Sequence, residues 1–448
     1  MKFLNLLAAL AGAAMAAPSV HIRAAASDST VARPGTVADM EVTKENTLNG
    51  TSNEDKQGVT TFSDISAQVK QIPLELVNNF GGGQVNAYIQ GKDSQGRVVF
   101  VRADGSLVYP TSGGSAQPVP IRENIKIPLP GRGQRLRMNL PIALDSGRIY
   151  FAEGELQFGM VRTGDGGDGL VQPSVTNLSD PSAGINWGFV ELTYTPQGAI
   201  FANISYVDFV GMILSMGLTS TDGNAPQITR GLDAGAMPAI CDGVRQQGNR
   251  DGRPWGKMCI TNQSGNPVRV LSPNDYSVID HQGFADYWTD YVNRVYDKYS
   301  REPLVINTQT GAGRVNCRVS GNQMRCDRDE RPYNKPSAED IWGCNGGPFE
   351  NTGSDLHKAN LARLCAAFVR STLLLDGGNV TPSLGSSHYY KVDPTNHYSR
   401  LVHEHEVDGK GYAFPYDDVN PDGNENASGT VATGNPDTLT VYVGAPPP

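Results

Sequence analysis

The stretch 187-WGFVELTYTPQGAIFANISYVDF-209 decides the fold. Two runs rich in β-branched and aromatic residues flank a Pro-Gln-Gly-Ala turn, the pattern of an antiparallel hairpin. Each run carries one carboxylate, Glu191 in the first and Asp208 in the second. Strands disfavour Asp and, less strongly, Glu, and burying an unpaired carboxylate is costly. Two readings compete. Either both acids are solvated on an exposed sheet face, or they are retained for chemistry. Trp187, Phe189 and Tyr206 fall beside them. Aromatic rings next to acids suit a sugar-binding floor and argue against plain solvation.

Register decides whether the acids act together. A two-residue turn at Gly198-Ala199 sets Glu191 opposite Tyr206 and Asp208 opposite Phe189. Both acids then share one face on a diagonal, with Cβ atoms roughly 7–8 Å apart. That fits the carboxyl separation of inverting glycosidases, about 6.5–9.5 Å, rather than the shorter one of retaining enzymes. A turn at Pro196-Gln197, or a bulge, separates them along the ladder. On the first register Phe201 and Ser205 face away from the acids.

Working outward, residues 70–220 read as strand after strand. "QVNAYIQG", "RVVFVRA", "RLRMNLPIAL" and "RIYFAEG" are short, alternating and punctuated by Gly, Pro, Asp or Ser. This pattern predicts an antiparallel sandwich or barrel. A loop of more than 20 residues follows "ELQFGMV" before the hairpin. Residues 225–385 change character. "FADYWTDYVNRVYDKYS" carries apolar residues at helical spacing, read as core packing rather than a glycan platform. "SDLHKANLARLCAAFVRSTLLL" is a helix capped by Ser354. "SAEDIW" opens another with Ser337 and Asp340 in a capping box. Strands return over 386–448. The predicted organisation is therefore a β domain (65–224 and 386–448) with a mixed α/β domain (225–385) beside it, and a cleft between them as the natural site.

The chain has 448 residues, Gly 51 and Pro 29, and a formal net charge of −9. Its acidity disfavours nucleic acid and anionic membranes as partners and is compatible with a neutral glycan. "MKFLNLLAALAGAAMA" reads as a secretory signal peptide over 1–16. Residues 17–64 lack periodicity and read as a disordered leader or propeptide. Six cysteines suit a secreted, extracellular destination. Cys317 and Cys326 flank a hairpin with Gly321-Asn322 at its tip and are paired here; Cys241, Cys259, Cys344 and Cys365 pair among themselves in an order that counting leaves open. Sequons stand at Asn49, Asn177, Asn203, Asn262, Asn379 and Asn426.

Several motifs fail. "GDGGDG" (164–169) has no following helix, and its Asp165 and Asp168 oppose a phosphate, so it reads as a loop. "HEHE" (403–406) lacks the second His of a zinc-protease motif and reads as a polar surface segment. No metal or other cofactor is expected.

"GLVQPSVTNLSDPSAGINWGFVELTY" with "IFANISYVDFVG" resembles the laminaripentaose-producing β-1,3-glucanases of glycoside hydrolase family 64, from about residue 70 to the C-terminus. "YAFPYDDV" (412–419) resembles the thaumatin-like proteins, whose β-sandwich that family shares. The resemblance implies a crescent-shaped molecule with a wide groove for a β-1,3-glucan chain. It implies Glu191 as general acid and Asp208 as general base of an inverting hydrolysis. It also puts Thr193, Phe201 and Ser205 at or near sugar-contacting positions, with Phe201 where some members carry Trp. A monomer acting on polysaccharide is expected. The rival readings are a non-catalytic thaumatin-like glucan-binding protein, which binds glucan without releasing sugar, and a structural cell-wall glycoprotein, which does neither.

Overall fold

The computed structural model describes residues 29–49, 70–421 and 428–446. The signal peptide, the rest of the leader and the sequon at Asn426 lie outside the described residues.

Alternation of apolar and polar residues builds two large sheets. The first has eight strands. Its main path runs Val431–Thr433, Ile200–Asn203, Trp187–Tyr194, Leu144–Glu153, Val85–Lys92, Val98–Val101 and Leu107–Val108, and Ile127–Pro128 also pairs with Val85–Lys92. The second runs Gln227–Thr229, Leu214–Ser220, Pro436–Val443, Ile72–Asn78 and Gln134–Leu140. Pairing is antiparallel except between Pro436–Val443 and Ile72–Asn78, which are parallel. That pairing brings the C-terminal strand beside the strand that opens the β region. One continuous buried cluster joins these sheets to the helices, and its apolar area is the main stabilising term.

The α/β part contains the helices Ala236–Asp251, Thr289–Arg301 and Asp355–Val369 and a five-stranded sheet. Ser354 and Ser337 cap their helices through backbone N–H groups, the latter in a capping box with Asp340. The aromatic stripe is core: Phe284, Trp288, Tyr291 and Tyr299 are buried, and the Trp342 ring packs within 6.0 Å of Phe284, Tyr287 and Trp288. Disulfides join Cys241–Cys259, Cys317–Cys326 and Cys344–Cys365. Among the described residues, no helix is long and apolar enough to cross a membrane.

Three expectations are corrected. Strands do not return at 386: the stretch holds a helix, His397–His405, and among the described residues the chain rejoins a sheet at Val431. The long loop after 162 is partly a hairpin, Gly159–Arg162 with Asp168–Val171. And residues 29–49, inside the supposed disordered leader, are built into the fold. Thr30–Val31 adds a parallel strand to Cys259–Thr261, and Thr47–Leu48 pairs with Leu170–Val171. Two-residue pairings leave no periodic signal, so composition alone misread them.

"HEHE" is also misread as surface. His403 Nε2 lies 3.0 Å from Asp417 and its Nδ1 3.1 Å from Glu406, and both carboxylates are buried. Asp417, from "YAFPYDDV", also accepts from Arg370 at 2.8 Å and from the Ala413 backbone. Burial opposes charge on His403, but Asp417 and Glu406 outweigh it and hold its pKa up at about 10. Because the folded value is raised, its contribution is complete below the unfolded value near 6.5 and fades as pH rises toward about 10. His403→Gln is expected to cost roughly 1–3 kcal/mol near pH 6.5. In urea titrations the gap to the natural chain should narrow steadily up to pH 10; a constant gap contradicts this network.

Candidate active site

The hairpin forms, but in neither register considered above. Glu191 pairs with Asn203, Thr193 with Phe201 and Tyr194 with Ile200. Thr195 N–H bonds to the Ala199 carbonyl, and Gly198 N–H to that of Thr195. The loop is therefore three residues long. Gly198, at φ 87°, supplies the left-handed turn residue that such a loop requires. The shift reverses one expectation: Phe201 now shares the face of Thr193 and Glu191.

It also breaks another. The second strand ends at Asn203, so Asp208 is not on the ladder at all. Ser205 forms a lone parallel bridge with Tyr412, and Tyr206 N–H bonds to the Tyr412 carbonyl. The chain then crosses to another sheet. Phe209–Val210 pairs with Leu271 and Val270, and Ser272 N–H bonds to the Asp208 carbonyl at 2.7 Å. Gly211 makes the crossing feasible: a Cβ there would stand 2.1 Å from the Trp187 carbonyl oxygen. The acid thus stands on the large sheet and the second carboxylate on a strap leading into the α/β part.

A polar row explains how Glu191 is held. Gln90, Arg148, Glu191 and Asn203 are successive cross-strand partners over four strands, so their side chains share a face. Arg148 donates to Glu191 Oε1 at 3.0 Å and to Gln172 Oε1 at 3.0 Å. Gln172 also accepts from the Tyr150 hydroxyl. The guanidinium lies 4.4 Å from the centre of the Phe189 ring. Partners on several sides leave Arg148 little freedom.

Glu191, Arg148, Thr193, Phe201 and Asn203 line a concavity of about 440 Å³, with Lys44, Glu45 and Gln172 on its other walls. Phe201 is 49% exposed, an open ring on the rim. Asp208 is open to solvent but surrounded by protein on most sides. Burial raises its pKa; Arg148 partly offsets this, and the charges of Glu191 and Glu45 add to it. Asp275, in the first turn of the helix Pro273–Ile279, is likewise pushed well above the usual carboxylate range, by burial and then by Asp208. Asp275 therefore senses the charge of Asp208.

Trp187 and Tyr206 do not belong to a sugar floor. Trp187 is 2% exposed and packs edge-on against Phe209 at 4.8 Å; Tyr206 is 5% exposed. Both rings are part of the main buried core. Ser205 is half-buried, its Oγ accepting from Val207 N–H. Arg148, Gln172, Asn203 and Asp275 were missed by the sequence reading. Asn203 carried a signal, its place in the hairpin, but its sequon directed attention elsewhere. Among the described residues, no group of three or more His, Cys, Asp or Glu is placed to hold a metal ion.

Comparison with known proteins fits this geometry. The sequence matches the glycoside hydrolase family 64 description, "Beta-1,3-glucanase", over residues 70–443. A glucan endo-1,3-beta-glucosidase of Cellulosimicrobium cellulans is 29% identical over 368 residues, 79% of this chain and 62% of that protein. One from Arthrobacter sp. (strain YCWD3) gives the same figures. The chain thus spans about three-fifths of the length of these curated relatives. Among solved structures, a laminaripentaose-producing β-1,3-glucanase in complex with laminaritetraose is 28% identical, with a TM-score of 0.71 over 85% of this chain and 99% of that one. A β-1,3-glucanase domain from Clostridium beijerinckii, 22% identical, shares the fold with a TM-score of 0.61 over 83% of this chain and 98% of that one. With most of its length matched, the chain belongs to glycoside hydrolase family 64.

Proposed function

We propose that this protein is a secreted, monomeric glycoside hydrolase that cleaves β-1,3-glucan by single displacement with inversion and releases short laminari-oligosaccharides. The thaumatin-like crescent with its wide groove belongs to this reading, as does secretion, which rests on the N-terminal sequence. The observation that carries it is the arginine-held Glu191 beside an exposed Phe201, with Asp208 supplied by a separate strap.

Glu191 acts as general acid. Arg148 bonds to Oε1, which leaves Oε2 as the oxygen from which a proton would be delivered. As that proton passes to the glycosidic oxygen, a carboxylate appears. The fixed guanidinium stabilises it without reorganising, the usual form of electrostatic catalysis. Asp208 acts as general base on the water that attacks the anomeric carbon. Its raised pKa makes it a stronger base than an ordinary carboxylate once ionised. Phe201 offers a ring face to the apolar face of a sugar, and Thr193 and Asn203 offer hydrogen bonds from the same sheet face.

Glu191→Gln and Asp208→Asn are each expected to lower reducing-sugar release from laminarin by about 10²–10⁴-fold, with circular dichroism unchanged. Near-natural activity in either removes the assignment. Persistent glucan binding by an inactive natural chain favours the non-catalytic reading instead. Arg148→Met should lower kcat by about 10²–10³-fold while leaving laminarin affinity within a few-fold.

Asp275→Asn tests the coupling. The charge of Asp208 helps keep Asp275 protonated, so Asp275 is neutral while Asp208 ionises and the acidic limb of kcat/KM should stay in place. The sign for stability follows from the raised folded values. Asp208 and Asp275 contribute stability below the ordinary carboxylate range and lose it as pH rises through their folded values. Asp275→Asn should therefore raise Tm at pH 7 and leave it nearly unchanged at pH 3. A limb that moves, or a lowered Tm at pH 7, contradicts this reading.

A further inference from the structure

The family match begins at residue 70, yet a segment well before it lines the catalytic concavity. Residues 29–49 run across the molecule as a strap tied at both ends. At one end Thr30–Val31 pairs with Ile260 and Thr261, and Ala32 is fully buried. Midway, Arg33 and Gly35 N–H groups bond to the Leu178 and Ser179 carbonyls, and the Asn177 side chain donates to the Asp39 carbonyl at 2.8 Å. Met40 packs with Val161 and Val171. At the other end Thr47–Leu48 pairs with Leu170 and Val171, and Gln172 N–H bonds to the Asn46 carbonyl. Gln172 is the residue that holds Arg148.

Between these anchors the strap turns two charged residues outward. Asn46 and Thr47 are buried, whereas Lys44 and Glu45 are exposed and line the same concavity as Glu191, Arg148 and Asn203. Glu45 is close enough for its charge to act on Asp208 and Asp275. The strap does not plug the site. The concavity persists between strap and hairpin, and the Glu191 side chain keeps 37% of its exposure. A plug buries the acid it blocks; a wall leaves it reachable.

We propose that residues 29–49 are a fixed wall of the glucan groove and that Lys44 and Glu45 bind the sugar chain beside Glu191. An ammonium donates to sugar hydroxyl oxygens and a carboxylate accepts from sugar hydroxyls, and such charge-assisted bonds are the stronger kind. The proposal rests on the glucanase reading above and adds a binding element from outside the region that defines the family.

The test uses the full chain with Lys44→Met and Glu45→Gln, and Val42→Ala as an exposed control on the same strap that does not line the concavity. Kinetics on laminari-oligosaccharides of increasing length separate KM from kcat. Each groove variant is expected to raise KM about tenfold, a loss of one charge-assisted bond, with kcat within twofold, a changed product-length distribution and an unchanged Tm. The control should match the natural chain. Unchanged KM and products overturn the proposal. A rise in kcat/KM also overturns it, since that marks an inhibitory strap. A shift in the pH profile of Glu45→Gln with KM unmoved does so too, because Glu45 then acts only through Asp208. If the natural chain releases no sugar from laminarin, the glucanase reading fails separately. The wall is then judged by the laminarin Kd, which both groove variants should weaken about tenfold.

Discussion

The ion pair between Arg148 and Glu191 is the interaction on which the site depends. It is made by register: two central strands of the large sheet bring these residues opposite one another. Gln172, Tyr150 and Phe189 then leave the guanidinium one position. An exposed ion pair contributes little to stability. The value of this one is geometric. It fixes Oε1 of Glu191 as the oxygen that accepts from the guanidinium.

The second carboxylate has to come from elsewhere. Two acids on adjacent positions of one ladder repel and cannot both be held ionised at low cost. Here the chain leaves the hairpin after Asn203, crosses over Gly211 and brings Asp208 in from the edge of another sheet. Arg148 bears on both acids, bonding to Glu191 and opposing the upward shift of Asp208. Asp208 and Asp275 both sit above the ordinary carboxylate range, so the fold tolerates an electrostatic cost at this place. The buried network of Arg370, Asp417 and His403 shows the opposite arrangement, with opposite charges matched and satisfied. The contrast marks the first place as the candidate for chemistry and the second as a stabilising network.

Much of the fold was legible locally. Alternation marked the strands, helical spacing marked Thr289–Arg301, and cap residues marked the helices opened by Ser337 and Ser354. Glu191 stood out because a carboxylate in a strand asks for a reason. The failures share one cause. Whether Trp187 or Phe201 meets a sugar depends on which sheet covers which strand end, and both rings look alike in sequence. "HEHE" reads as polar surface until Asp417 and Arg370 arrive from elsewhere in the chain. Residues 29–49 pair in two-residue pieces, too short to carry a period.

By itself the sequence determined the class of the protein, the strand-rich frame, the helix caps and the two acids, because each follows from neighbours within a few residues. Tertiary structure alone decided the register that put Phe201 beside Glu191, the crossing that took Asp208 off the ladder, the arginine that holds Glu191, and the path of residues 29–49 along the concavity. Those depend on contacts between segments more than two hundred residues apart, such as Thr30 with Ile260. A one-residue slip in a ladder reverses the face of every side chain. No local pattern fixes such a choice; burial of the whole core does.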